Sequence, residues 1–154
     1  MPLFTLVHVL ISLVGIVSGL VVLKAMLGGR NERGWTTVFL ATTIATSATG
    51  FGFPFDHLLP SHIVGIISLV VLALAVYAFC GRGLAGIWRS IYVITSVLAL
   101  YLNVFVLVVQ LFLKAPALKA LAPTQGGPPF AIAQIALLVL FLVLGARAVK
   151  RFPR

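Results

Sequence analysis

Acidic residues are almost absent from this sequence of 154 residues, which has 2 Asp and Glu together against 11 Lys and Arg. Charged residues make up only 8% of the chain and hydrophobic residues 62%, whereas soluble domains have about 25% and about 45–50%. A chain so poor in charge is neither a soluble enzyme nor a disordered segment. Its one cysteine, Cys80, cannot form an internal disulfide, which excludes a disulfide-stabilised scaffold.

Long uncharged segments separate the few charged residues, as is required of segments that cross the core of a bilayer. Five runs are long enough to cross about 30 Å at about 1.5 Å per residue. They lie near residues 3–27, 36–55, 61–80, 86–113 and 129–149. We therefore predict an all-α integral membrane protein, a bundle of five transmembrane helices that forms one domain over residues 1–154. The first run lacks the basic segment and cleavage site of a signal peptide, so we expect it to be retained.

The basic residues predict the orientation of this bundle. If the five spans alternate in direction, nine of the basic residues lie on one side of the membrane and two on the other. The nine are Lys24, Arg30, Arg33, Arg82, Arg89, Arg147, Lys150, Arg151 and Arg154, and the two are Lys114 and Lys119. Because cytoplasmic loops carry an excess of Lys and Arg, the N-terminus is predicted outside and the C-terminus in the cytoplasm. Topology and contact with anionic lipid then explain the net charge of +9 without nucleic-acid binding.

Polar side chains gather in the outer half of the predicted bundle, where each needs a partner to offset the cost of burial. On the first span, His8 lies above Gly15 and Gly19, which leave room for another helix or for a ligand. On the fourth span, Arg89, Ser96, Asn103 and Gln110 recur every seven residues and so share one face. We hypothesise a site for a small apolar or amphipathic ligand, such as a quinone or a lipid. Its predicted binding residues are His8, His62, Asn103, Gln110 and Gln134.

Three other interpretations of the same residues stay open. His8 and His62 fall at similar depth on separate spans, as bis-histidine ligation of a b-type haem requires. A divalent metal is the second alternative, with His8, His62, His57 and Asp56 as its predicted ligands. The third is a structural or assembly subunit, in a homo-oligomer or a larger membrane complex, whose polar residues only pack helices.

Catalytic signatures are missing from the sequence. It has no GxSxG, no glycine-rich phosphate loop and no HExxH. It also has no pair of carboxylates within the spans for proton-coupled transport. The sequence therefore favours a binding or structural protein over an enzyme.

Three segments are similar to those of a family of small bacterial inner-membrane proteins for which no activity is assigned. They are TGFGFPFDHLLPSHIVGIISL at 49–69, ALYLNVFVLVVQLF at 99–112 and ALAPTQGGPPF at 120–130. The resemblance extends over nearly the whole chain. It implies a multi-pass protein of the bacterial inner membrane and implies nothing about chemistry.

Overall fold

The computed structural model describes residues 3–52, 60–121 and 127–153, and within these ranges the chain forms helices and no strand. The helices are α1 (Leu3–Leu27), α2 (Arg33–Gly50), α3 (Pro60–Val76), α4 (Trp88–Lys114), α5 (Pro116–Leu121) and α6 (Pro128–Arg151). A π-helical turn, Tyr77–Gly81, continues α3. The prediction of an all-α protein is confirmed for the described part of the chain.

Four segments of the described chain are long and apolar enough to cross a membrane, and together they make this a multi-pass membrane protein. They are Leu3–Leu27, His62–Gly81, Trp88–Phe112 and Pro128–Arg151, and each agrees closely with a predicted run. The remaining predicted run, 36–55, overlaps most of α2, and the six threonines and Arg33 make this helix less apolar than the others. Five spans therefore stay a prediction, and residues 53–55 lie outside the described ranges.

Helix α4 occupies the centre of the bundle, and α6, α1, α2 and α3 pack around it in that order. The best-packed core lies among the C-terminal half of α1, the C-terminal half of α3 and the N-terminal half of α4, where Met26, Leu72, Tyr92 and Leu100 are at most 1% exposed. The outward face of α6 is the least covered, with Ile132 66% exposed, as expected for a surface in contact with lipid.

Contacts at the two ends of the bundle show that successive long helices run in opposite directions. At one end, the Arg33 guanidinium lies 4.3 Å from the Phe79 ring centre, and the backbone of Gly29 lies against the carbonyl oxygen of Arg151. At the other end, the rings of Phe112 and Phe130 are 5.3 Å apart. We call residues 24–35, 77–92 and 147–153 the basic end, and residues 3–8, 49–52, 62–65, 112–121 and 127–130 the histidine end. All described basic residues except Lys114 and Lys119 lie at the basic end.

Arg89 fixes the C-terminal end of α6 to the start of α4. Its Nη1 donates to the carbonyl oxygens of Val149 and Phe152 at 3.1 and 3.0 Å. The last carbonyls of a helix have no partner within that helix, so the guanidinium supplies the missing donors. The Phe152 ring lies 5.4 Å from the Tyr92 ring, one turn after Arg89, and is 4% exposed. The chain after α6 is therefore held against α4 by both polar and apolar contacts.

Candidate functional site

The threonines of α2 explain how this polar helix fits into an apolar bundle. Five of the six donate their hydroxyl protons to backbone carbonyls four residues earlier, at 2.7–3.0 Å. These five are Thr36, Thr37, Thr42, Thr46 and Thr49. A hydroxyl bonded in this way needs no partner from another helix or from water. Most of the polarity of α2 is thus satisfied within α2.

Thr43 is the exception among the threonines of α2. Its side chain is 1% exposed, and its Oγ1 has no hydrogen-bond partner among the described residues. It shares the buried face of α2 with Thr36, Phe39 and Leu40, at the spacing of one helical face. A buried hydroxyl without a partner costs about 1–3 kcal/mol, so this group is a candidate for contact with something other than the protein.

A second unpartnered group faces the same place as Thr43. A Cβ added to Gly15 of α1 would lie 3.1 Å from Thr43 Oγ1, 3.3 Å from Asn103 Nδ2 and 3.4 Å from Thr42 Oγ1. Asn103 Nδ2 is buried and also has no hydrogen-bond partner in the described chain. We call Gly15, Thr42, Thr43 and Asn103 the central polar junction. Here α2 turns two hydroxyls and α4 turns one amide toward Gly15, one of the two positions on α1 that have no side chain.

The central polar junction is closed on the side of the basic end. One turn further along α1, a Cβ on Gly19 would lie 2.6 Å from Leu100 Cδ1 and 2.9 Å from Phe39 Cδ1. Phe39 and Leu100 are each 1% exposed, so they fill the space between the three helices. Gly15 and Gly19 thus differ in role, since Gly19 faces packed apolar atoms and Gly15 faces polar ones.

His8 and His62 contact the C-terminal turn of α2 through different residues. His8 Nδ1 lies 2.7 Å from Thr49 Oγ1, and the same hydroxyl lies 2.7 Å from the carbonyl oxygen of Ala45. The His62 ring is 5% exposed and its centre lies 5.5 Å from that of Phe51. The two histidines occupy one layer, as their depth predicts, with the end of α2 between their helices.

The haem and divalent-metal interpretations of His8 and His62 stay predictions. In the described chain α1 and α3 share at most a marginal contact, because α2 packs between them. The described residues contain no group of three or more His, Cys, Asp and Glu that could hold a metal ion. The other two predicted metal ligands, Asp56 and His57, lie outside the described ranges.

The remaining predicted site residues lie on two sides of α4. Asn103 faces α1 and α2, whereas Gln134 of α6 donates from Nε2 to the Phe105 carbonyl at 3.4 Å. The Oε1 of Gln134 is buried and has no partner among the described residues. Gln110 is half-buried, two turns beyond Asn103 on α4. The structure therefore brings Asn103, and not the full predicted set, to the central polar junction.

The prediction from sequence missed Thr42 and Thr43, which lie in the middle of α2. A signal was present, because Thr36, Phe39, Leu40 and Thr43 follow the spacing of a buried helix face. It also missed Tyr92, which is 0% exposed and lies with its hydroxyl 3.0 Å from Thr36 Oγ1. This pair joins α2 to α4 near the basic end.

No protein-family model matches this chain, and no curated protein or solved structure is significantly similar to it.

Proposed function

We propose that this protein binds a small amphipathic molecule with a neutral, oxygen-bearing head at the central polar junction. The observation that carries the proposal is the pair of buried, unpartnered groups, Thr43 Oγ1 and Asn103 Nδ2, which face the same position beside Gly15. The carbonyl of a quinone or of a lipid ester accepts hydrogen bonds from both groups. This restores the free energy that their burial costs.

The surroundings of the junction favour a neutral head over a charged one. The three atoms nearest to a Cβ on Gly15 belong to uncharged side chains, and Glu32, paired with Arg30 at 3.2 Å, lies at the N-terminal cap of α2. A charged head at this depth would lack a counter-ion and would be expensive to bury. Because Phe39 and Leu100 close the junction toward the basic end, the ligand enters from the side of the histidine end.

Removal of the Thr43 hydroxyl separates ligand binding from stability. We expect Thr43→Val to leave the melting temperature of the free protein unchanged or higher, because the lost hydroxyl has no protein partner. The same change should weaken binding about tenfold, the effect of one hydrogen bond of roughly 1.4 kcal/mol. Thermal melts in detergent, with and without a decyl-substituted benzoquinone or a monoacylglycerol, measure both quantities.

Thr46→Val is the matched control, because the Thr46 hydroxyl bonds to the Thr42 carbonyl of its own helix at 2.8 Å. It should retain the increase in melting temperature that the ligand produces. An equal ligand-induced increase in wild type and Thr43→Val would contradict the proposal. A large loss of stability in free Thr43→Val would instead show that a bound water satisfies the hydroxyl in the absence of ligand.

We further propose that α2 crosses the membrane as a fifth span, with the basic end in the cytoplasm of a bacterial cell. Successive residues of α1 face α2 along its length: Gly19 faces Phe39, Gly15 faces Thr43, and His8 bonds to Thr49. A helix that accompanies an apolar span over this distance occupies the same depth of bilayer. The orientation is supported by the basic residues at one end of the bundle.

Cysteine labelling tests this topology. In a Cys80→Ser background, an impermeant maleimide added to intact cells should label Leu121→Cys at the histidine end and leave Gly34→Cys at the basic end unlabelled. Both positions are exposed, and no side chain lies within 4 Å of a Cβ at Gly34. Permeabilised cells, in which both positions react, provide the control. Labelling of Gly34→Cys in intact cells would contradict the proposed orientation.

A further inference from the structure

A cleft opens at the basic end, between α1 and the start of α2. It has a volume of about 270 Å³. Its wall is formed by Val21, Lys24, Ala25, Arg30, Glu32 and Trp35. Two cations, one anion, an aromatic ring and an apolar floor thus border one space that the central polar junction does not reach.

We propose that this cleft binds the headgroup of an anionic phospholipid, with its phosphate on Lys24 and Arg30 and its acyl chains along α1. The position of the cleft supports a lipid. Lys24 lies one turn before the end of α1 at Leu27, and Trp35 is 47% exposed in the first turn of α2. Tryptophan and basic residues at the ends of spans lie at the level of lipid headgroups.

The surface of α1 beyond the cleft suits acyl chains. Val17 and Leu20 are 58% and 48% exposed, and they lie on α1 between the cleft and the middle of the bundle. A phospholipid whose headgroup sits on Lys24 therefore has an apolar surface for its chains directly beneath. A free phosphate ion would use the rim of the cleft and none of this surface.

The charges at the cleft match a single phosphodiester. Glu32 Oε1 lies 3.2 Å from Arg30 Nη1, which offsets one of the two positive charges and orients the guanidinium. The balance of +1 equals the charge that a phosphatidylglycerol headgroup brings with opposite sign. A second basic cleft, lined by Arg147, Lys150 and Arg151 of α6, has three cations with neither an anion nor an aromatic ring. It serves as an internal comparison for general surface charge.

Quenching of Trp35 fluorescence measures lipid at this cleft directly. The chain has two tryptophans, so Trp88→Phe leaves Trp35 as the sole reporter. In mixed micelles, phosphatidylglycerol with brominated acyl chains should quench Trp35 at several-fold lower mole fraction than brominated phosphatidylcholine. Equal quenching by the two lipids would overturn the proposal. Reversal of the quench by millimolar inorganic phosphate would also overturn it, since it would assign the cleft to a free ion.

Paired substitutions separate the cleft from the general charge of the basic end. Lys24→Gln with Arg30→Gln should weaken the phosphatidylglycerol effect about tenfold or more, because each cation near a charged membrane contributes roughly fivefold. Arg147→Gln with Lys150→Gln removes the same charge from the other cleft and should change the effect less than twofold.

Glu32→Gln should strengthen binding, because it releases the Arg30 guanidinium. Equal losses in the two pairs, or weaker binding in Glu32→Gln, would overturn the proposal; circular dichroism verifies the helix content of each variant.

Discussion

Gly19→Leu is expected to destabilise the bundle by roughly 3 kcal/mol or more, the upper part of the range for overpacked cores. Even the first added atom, the Cβ, would lie 2.6 Å from Leu100 Cδ1 and 2.9 Å from two carbons of the Phe39 ring. Both neighbours are buried, each 1% exposed, so a shift of either disturbs the core. Thermal unfolding in detergent, followed by circular dichroism, measures the loss.

Gly34→Leu is the control for Gly19→Leu, because it adds the same side chain where nothing lies within 4 Å of a Cβ. It should leave the melting temperature nearly unchanged, since a better helix former then replaces glycine on an exposed face. If Gly19→Leu were tolerated as well as Gly34→Leu, the close approach of α1, α2 and α4 would be wrong. The central polar junction, which depends on that approach, would then lose its support.

Arg89→Gln should cost roughly 2–3 kcal/mol of stability and release the C-terminal segment after α6. The guanidinium donates to two carbonyl oxygens, of Val149 and Phe152, and hydrogen bonds from charged groups are worth about 1.5–3 kcal/mol. Limited proteolysis from the basic end and thermal unfolding should both detect the change. The segment after Arg151 should become susceptible before the rest of the bundle unfolds.

The variants Arg89→Lys and Arg147→Gln distinguish the effect of the two directed hydrogen bonds of Arg89 from the effect of its positive charge alone. Lysine keeps the charge but lacks the planar arrangement of donors with which arginine reaches both carbonyls, so it should restore only part of the stability. Arg147 lies on the exposed surface of α6, and its substitution should have little effect. Full rescue by lysine would mean that the charge near the end of α6, and not the two directed bonds, stabilises the segment.

Apolar length made most of the helices predictable. The first predicted run, 3–27, has the same bounds as α1, and the run at 129–149 differs from α6 by one residue at its start and two at its end. The start of α2 was less predictable, because Arg33 begins the helix with its guanidinium over Phe79, a residue distant in sequence. The local hydropathy of the sequence does not predict a contact between residues that are so far apart in the chain.

The sequence predicted the depth of the candidate site residues in the bilayer, but only in part which neighbouring helices they face. Spacing of seven residues placed Asn103 on an inward face of α4, and its amide is indeed buried. The rise per residue of a helix also predicted His8 and His62 at the same depth in the bilayer. The rise does not predict which helix packs between theirs. Thr43 could not be distinguished from Thr42 or Thr46, because the choice between bonding to its own backbone and facing α1 depends on side-chain rotation within the packed bundle.

The threonine hydroxyls that bond to the backbone of α2 also affect how this helix is inserted into the membrane. Each hydroxyl that bonds to its own backbone lowers the cost of transferring α2 into lipid, but α2 is not among the segments that are long and apolar enough to cross a membrane by their composition. Its short connection to α1, residues 28–32, allows the two helices to enter the bilayer together as a hairpin. In a five-span protein, α2 then inserts into the membrane paired with α1. The two glycines of α1 allow the close packing of the two helices that this paired insertion requires.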